Sequence, residues 1–556
     1  MKSEAISQPI GCARHCFWGL PRTIRLGPKW VREWTVLVLV VSSAPYIVGL
    51  LLSPEDGIFT GNLLNPSDTN SYFAAMRIGE QGDWLYRMPY SAQSNQPLPL
   101  FSLFILLGHF ARLTSLSLPL VYHLSRIAFA GMFVAFSYRF ISRQTEDTNE
   151  RKLAMFILLF TAGYGWAMVI LFGIEAPQTL KPDIWIFDAV SFGSILGFPH
   201  FVLNMTLMLW MLMAGEDFVR GRGWGNTSRS ILAGLGVSLI HPYQFAVVGA
   251  TLGLGVVTAS AKHGHLRWGG FWRLFLILLP GSALALRLAY LSLNVPYSFL
   301  KSWLEPGDTY PLWSLFILYG PILVLGFLGT WSALRAYRTK IPLAAFWFLV
   351  VFVLLSLPVT FQRRFIEGWH VPVALLAAVG WHRQALPMLS KLLTPRAARR
   401  IISFVLLSVI VTPVFLLSVT FSQVVDPRPG NPAYVFSDEL GALEYLRRNS
   451  GHEDVVLAHY YSSNRIPAFV GVRSFVGHYS LTPFFVERLR QVDDFFRSNT
   501  TDEARLGLIE QFGISFIYYG QDERTLGGFS PDQVGYLQLV YSSPTVSLYR
   551  VSTVAH

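Results

Sequence analysis

Eleven apolar stretches limit what this chain can become: 34–53, 120–138, 153–173, 191–214, 230–241, 243–261, 274–293, 312–334, 341–360, 369–382 and 401–421. Crossing a bilayer takes roughly 20 mostly apolar residues in a helix. Inside the bilayer every backbone polar group must find its partner within the protein, which leaves helices or closed barrels. Runs of this length read as helices. Only 14% of the 556 residues are charged, too few to cover a water-soluble body of this size. The expected architecture is a multi-span α-helical membrane protein with about 11 transmembrane helices. A small C-terminal α/β domain follows them.

The net charge of +11 raises the question of nucleic acid, but its distribution answers differently. The segment 97–113 (PLPLFSLFILLGHFARL) is apolar yet short, and suits an interfacial or re-entrant helix. With that segment out of the count and the N-terminus inside, 24 Lys and Arg fall on inner segments and 7 on the outer loops that precede the C-terminal domain. This is a positive-inside pattern, and it makes the basic charge orientation charge. Nucleic acid is not an expected partner. Residues 1–33 are expected to form a cytoplasmic segment rather than a secretory signal, since a long basic stretch precedes the apolar run and no small-residue cleavage site follows it. The membrane part is placed at 34–421, with a large first outer loop at 54–119. The expected location is the plasma (inner) membrane, with the C-terminal domain outside the cytoplasm. Cys12 and Cys16, the two cysteines, exclude a disulfide framework and a Cys-based zinc module.

From about residue 422 the composition changes. PRPGNPAYVFSDE reads as a linker into a mildly acidic domain, 422–556. Residues 436–450 have helical periodicity with Ser437 as a possible N-cap, and 454–459 reads as a strand. Helices are expected near 484–497 and 502–512, a strand at 514–520, and a hairpin around Ser542, Ser543 and Pro544. The domain holds no Gly-rich phosphate loop and no metal-ligand spacing.

Ionisable residues at membrane depth are costly and mark candidate functional sites. Here they gather toward one face: Arg126, Arg287, Arg363 and Arg364, with His200 and His241. Guanidinium groups around a polar cavity suit a phosphate or pyrophosphate, which they grip in bidentate fashion. The first outer loop adds Asp68, four residues before Tyr72. A carboxylate facing a basic pocket can take a proton from an acceptor hydroxyl. Tyr72, Asp183, His200, His241, Glu367 and His370 are the further pocket and acceptor candidates. Plainer roles stand beside each of these. The arginines can snorkel or pair structurally, the histidines can serve helix packing, and a loop Asp is commonly a cap or turn residue.

Ser67-Asp68 with Tyr72, the PLPLFSLFILLGH segment and the late outer loop QRRFIEGWH together resemble the GT-C superfamily of membrane glycosyltransferases. The resemblance spans about residues 30–421. It implies a polyprenyl-phosphate sugar donor and a glycan, lipid or protein acceptor. Asp68 would be the base, Arg363 and Arg364 would hold the lipid phosphate, and a single displacement would invert the anomeric centre. The usual paired acid is missing, because Thr69 follows Asp68. No WWDYG-like signature is present. The resemblance implies no cofactor, although Asp183 and Asp188 could coordinate a divalent metal or bind acceptor; loop solubility, with Trp185 anchoring at the interface, is the plainer account of that segment. Two alternatives differ in class: a transporter or flippase of a lipid-linked saccharide, and a non-catalytic envelope-assembly protein. The first would carry a polar path through the whole membrane and internal repeats. No repeat is found, and the charges are one-sided.

Overall fold

The computed structural model describes residues 27–93, 95–262, 264–292, 310–336, 342–358 and 361–552. Most of the cytoplasmic segment 1–33, and Lys301, Arg338 and Lys340 of the charge count, lie outside the described residues. Seven described helices are long and apolar enough to cross a membrane: Lys29–Leu51, Leu118–Gln144, Thr148–Phe172, Pro199–Val219, Pro242–Lys262, Trp268–Leu291 and Pro395–Val424. The chain is a multi-span helical membrane protein. The other four expected spans also contain helices, but shorter ones. Gly225–Ile240 has 16 residues, Pro321–Arg335 has 15, Leu343–Leu354 has 12 and His370–Gly380 has 11. Length therefore supports seven crossings, and the expected eleven is not carried by helix length.

Several apolar stretches are broken, and side chains answer the break. The crossing Thr148–Phe172 is interrupted at residues 161–164, between the helices Thr148–Phe160 and Gly165–Phe172. Asp183 Oδ2 accepts from the backbone N–H of Gly163 at 3.0 Å and of Gly165 at 3.1 Å. The Thr412 hydroxyl donates to the same oxygen at 2.6 Å. Freed N–H groups inside a membrane protein need such partners. Elsewhere helices close on each other through glycine. A Cβ on Gly329 would lie 1.8 Å from the Leu376 carbonyl oxygen, and one on Gly380 would lie 2.1 Å from that of Leu325. The helices Pro321–Arg335 and His370–Gly380 thus touch backbone to backbone, as small residues allow in membranes.

The segment between the first two crossings forms two helices. Pro66–Gln81 begins with a proline at its first position and Asn65 as its cap, a local start signal. Ser102–Thr114 has 13 residues, about 20 Å of helix, well short of a crossing. Its Phe104, Ile105, Gly108 and Ala111 are buried, while Leu106, Phe110 and Leu113 face outward. Apolar side chains thus occupy both its packed face and its outward face, which suits contact with protein on one side and lipid on the other.

The C-terminal part folds around a five-stranded sheet. Its strands are β3 (Val455–Leu457), β4 (Arg473–Ser474), β5 (Ile514–Tyr519), β6 (Leu537–Ser542) and β7 (Ser547–Val551), in the order β4-β3-β5-β7-β6. β3 runs parallel to β4 and β5, and β7 is antiparallel to β5 and β6. Successive residues alternate between its two faces. Val455 and Leu457 enter one apolar core, and Val456 enters the other. The expected hairpin is β6-β7. Ser437 does not cap the helix Ser437–Asn449; Phe436 precedes the first turn without a side-chain bond, and the Ser437 N–H donates to the Asp56 carbonyl. The stretch expected as a linker holds β2 (Tyr434–Phe436), which pairs antiparallel with β1 (Gly57–Phe59) of the first loop. Loop and C-terminal lobe are thereby joined.

Candidate active site

The helix Pro66–Gln81 lies against the helix Tyr460–Phe469 of the C-terminal lobe. Asn70 Nδ2 donates to Asn464 Oδ1 at 2.8 Å, the Tyr90 hydroxyl donates to the Asn464 carbonyl at 3.1 Å, and the Ser67 and Tyr460 hydroxyls are 3.0 Å apart. Asp68 stands at the first turn of that helix, with its side chain 27% exposed. Its Oδ2 accepts from Asn65 Nδ2 at 2.6 Å, so it shares in the helix cap. Its Oδ1 lies 2.6 Å from His478 Nε2 of the C-terminal lobe. Asn65 itself adopts φ 45°, a left-handed conformation that Asn tolerates.

Beside this carboxylate lies a polar cluster built from distant parts of the chain. The Tyr72 ring stacks on Phe104 with centroids 4.5 Å apart and meets His200 at 4.7 Å. His200 meets His241 at 5.5 Å. His241 Nδ1 is 2.7 Å from Glu367 Oε2, and Asn204 Nδ2 donates to Glu367 Oε1 at 2.9 Å. His241 stacks on Tyr243 at 5.3 Å. Gln244 Nε2 donates to the Arg364 carbonyl at 2.7 Å, tying the short 3-10 turn Gln362–Ile366 to the start of the helix Pro242–Lys262.

The charges in this cluster sense one another. Burial works against the Arg364 charge, but Tyr243, Asp188 and Asp68 outweigh it, and the guanidinium is held more firmly protonated than usual. Partial burial raises the phenol of Tyr479, a residue still 54% exposed; Asp68 raises it further, and Arg364 and Arg363 pull it back. Burial lifts the Glu367 carboxyl above its ordinary range, with His241 opposing. A carboxylate, a firmly charged guanidinium and a ring of neutral phenols can together accept a proton and stabilise a developing anion. Among the described residues no three His, Cys, Asp or Glu side chains converge to hold a metal ion.

The structure brings Asp68, Tyr72, His200, His241 and Glu367 together, with Arg363 and Arg364 on the adjoining turn Gln362–Ile366, and it gives four other candidates different surroundings. Arg126 is fully buried and committed to protein partners: it donates to the Ile195 carbonyl at 2.9 Å and to the Ser43 hydroxyl at 3.0 Å, and it lies over the Tyr46 ring. Arg287 is exposed on the helix Trp268–Ser292, and its guanidinium lies over the Tyr290 ring at 5.9 Å. Asp183 is the clamp on a broken crossing, and burial pushes its carboxyl up to about 6. His370 accepts the Ser191 N–H on Nδ1 at 3.3 Å and stacks on Tyr319, which is a packing role. His478, Tyr479 and Tyr243 were not singled out in the sequence. Only folding brings His478 to Asp68, from 410 residues away.

No family model and no curated protein matches this chain by sequence. Solved structures match its fold. An oligosaccharyltransferase from Archaeoglobus fulgidus, solved with a tethered acceptor peptide, superposes with TM-score 0.51 at 11% identity, over 89% of this chain and 70% of that one. ArnT from Cupriavidus metallidurans, bound to undecaprenyl phosphate, superposes with TM-score 0.52 at 13% identity, over 94% and 98% of the two chains. The mycobacterial arabinofuranosyltransferase AftD gives TM-score 0.56 at 16% identity over 94% of this chain, but this chain spans only 40% of that one. These likenesses, at 11–16% identity, show a fold shared with those three proteins.

Proposed function

We propose that this protein is a GT-C-type glycosyltransferase that moves a sugar from a polyprenyl-phosphate donor to an acceptor on the extracytoplasmic face of the membrane. One observation carries this reading: the Asp68 carboxylate stands where the first loop meets the C-terminal lobe, 2.6 Å from His478 Nε2, on the helix whose Tyr72 enters the buried cluster of His200, His241 and Glu367. In the proposed step Asp68 takes the proton of an acceptor hydroxyl. The oxygen attacks the anomeric carbon as the bond from that carbon to the phosphate oxygen breaks. The departing lipid phosphate keeps the electron pair, and Arg364 with Arg363 offsets its charge. A single displacement inverts the anomeric configuration. The undecaprenyl phosphate bound to ArnT is the model for the spent donor. The exposed rings of Tyr461 and Tyr479 would flank the path of a sugar acceptor.

The test uses the purified protein in proteoliposomes with a polyprenyl-phosphate-linked sugar. Transfer predicts release of free polyprenyl phosphate together with a glycosylated acceptor. Movement of intact donor across the bilayer without cleavage of its anomeric bond would instead establish a flippase.

A further inference from the structure

We infer that His478 is a positioning residue for the Asp68 carboxylate, so that the C-terminal lobe completes the reaction centre. The inference rests on reading Asp68 as the base. His478 is 3% exposed. The backbone N–H of Ser480 lies 3.2 Å from its Nδ1 and can only donate, so Nδ1 presents its lone pair. The Ser480 hydroxyl adds a second contact to the same nitrogen at 3.0 Å. The neutral ring therefore carries its proton on Nε2, aimed at Asp68 Oδ1 across 2.6 Å. Asn65 holds Oδ2 from the other side. The carboxylate is fixed in rotation by two donors, one from its own helix and one from the opposite lobe.

The segment that bears His478 is itself held in place. The Ser474 N–H donates to the Pro89 carbonyl at 2.8 Å, and the Gly477 N–H donates to the Thr482 hydroxyl at 3.1 Å. A Cβ on Gly477 would lie 2.1 Å from the Tyr90 ring, so the chain passes that ring at contact. The Tyr479 ring covers His478, with centroids 4.8 Å apart at 24°. Nδ1 accepts the Ser480 backbone N–H and lies 3.0 Å from its hydroxyl, so Nε2 is the nitrogen that faces Asp68 as a donor. His478 thus orients the base. Other bonds, such as Tyr90 to Asn464, already join the two lobes. The His478 contact differs from them in ending on the reacting group.

The experiment compares His478→Ala, His478→Gln and Tyr90→Phe in the reconstituted transfer assay, with and without Asp68→Asn. Losing an orienting donor predicts a fall in kcat of about 10- to 100-fold with donor KM unchanged. Gln offers an N–H at similar reach and should recover most of that loss. Tyr90→Phe, which loosens the same junction without touching Asp68, should keep the wild-type kcat. In the Asp68→Asn background His478→Ala should cost nothing further. An unchanged kcat in His478→Ala, equal losses in Ala and Gln, or full additivity with Asp68→Asn would each overturn the inference alone. A wild type that transfers no sugar would overturn the functional reading and this inference with it.

Discussion

Single residues of one type meet opposite fates in this fold. Arg126 and Arg287 look alike in the sequence, each an arginine near the end of an apolar run. Arg126 is buried against Ser43 and the Ile195 carbonyl, whereas Arg287 is exposed. Replacing Arg126 with Ala strands buried polar partners and should cost about 2–4 kcal/mol, read as a fall in melting temperature or in folded yield. Arg287→Ala should change stability by no more than about 0.5 kcal/mol and leave transfer intact. Glu523 shows a second buried charge. Its two oxygens accept from the backbone N–H groups of His459 and Gly520, yet burial pushes its carboxyl up from 4.5 to about 7. A raised acid favours the protonated form in the fold, so its contribution is full below pH 4.5 and is lost as pH rises through about 7. The loss is roughly 3 kcal/mol at most. Glu523→Gln should flatten the pH dependence of melting across that window, and an unchanged slope would contradict the assignment. Periodicity and composition contain nothing of these distinctions, because burial and partner choice arise only when distant segments meet. The same holds for His478.

At the scale of elements the sequence was more informative. Apolar runs marked each membrane helix, since a 3.6-residue period and a minimum length are local properties. They did not mark where crossings break. The interruption at 161–164 depends on Asp183 and Thr412, which lie elsewhere in the chain. The helix Pro66–Gln81 was legible in principle, because Asn65-Pro66 is a start signal, but the polar loop around it hid the pattern. Its approach to the helix Ser102–Thr114 rests on two glycines. A Cβ on Gly79 would stand 2.1 Å from the Ile105 carbonyl oxygen, and one on Gly108 would stand 1.9 Å from that of Met76. Gly79→Ala must push the two helices apart. It should cost about 1–3 kcal/mol and slow transfer by shifting the helix that carries Asp68. Wild-type stability and rate in Gly79→Ala would show that the crossing has slack.

The whole molecule combines a helical membrane body with a lobe that reaches back to the first loop. β1 pairs with β2, Asn70 with Asn464, and Asp68 with His478. The charge pattern and the four arginines suggested a phosphate-handling face; of the four, Arg126 is committed to protein partners, Arg287 is exposed, and Arg363 and Arg364 share the turn Gln362–Ile366. The identity of the lobe as a partner in that site was invisible, because pairing across hundreds of residues leaves no mark in local spacing. The reading of this junction as a reaction centre stands or falls with one carboxylate. The decisive measurement is the single-turnover rate of Asp68→Asn with a saturating polyprenyl-phosphate sugar, alongside donor binding to the same preparation. A general base predicts a rate at least about 100-fold below wild type with donor affinity retained. A variant that turns over within twofold of wild type would contradict the account.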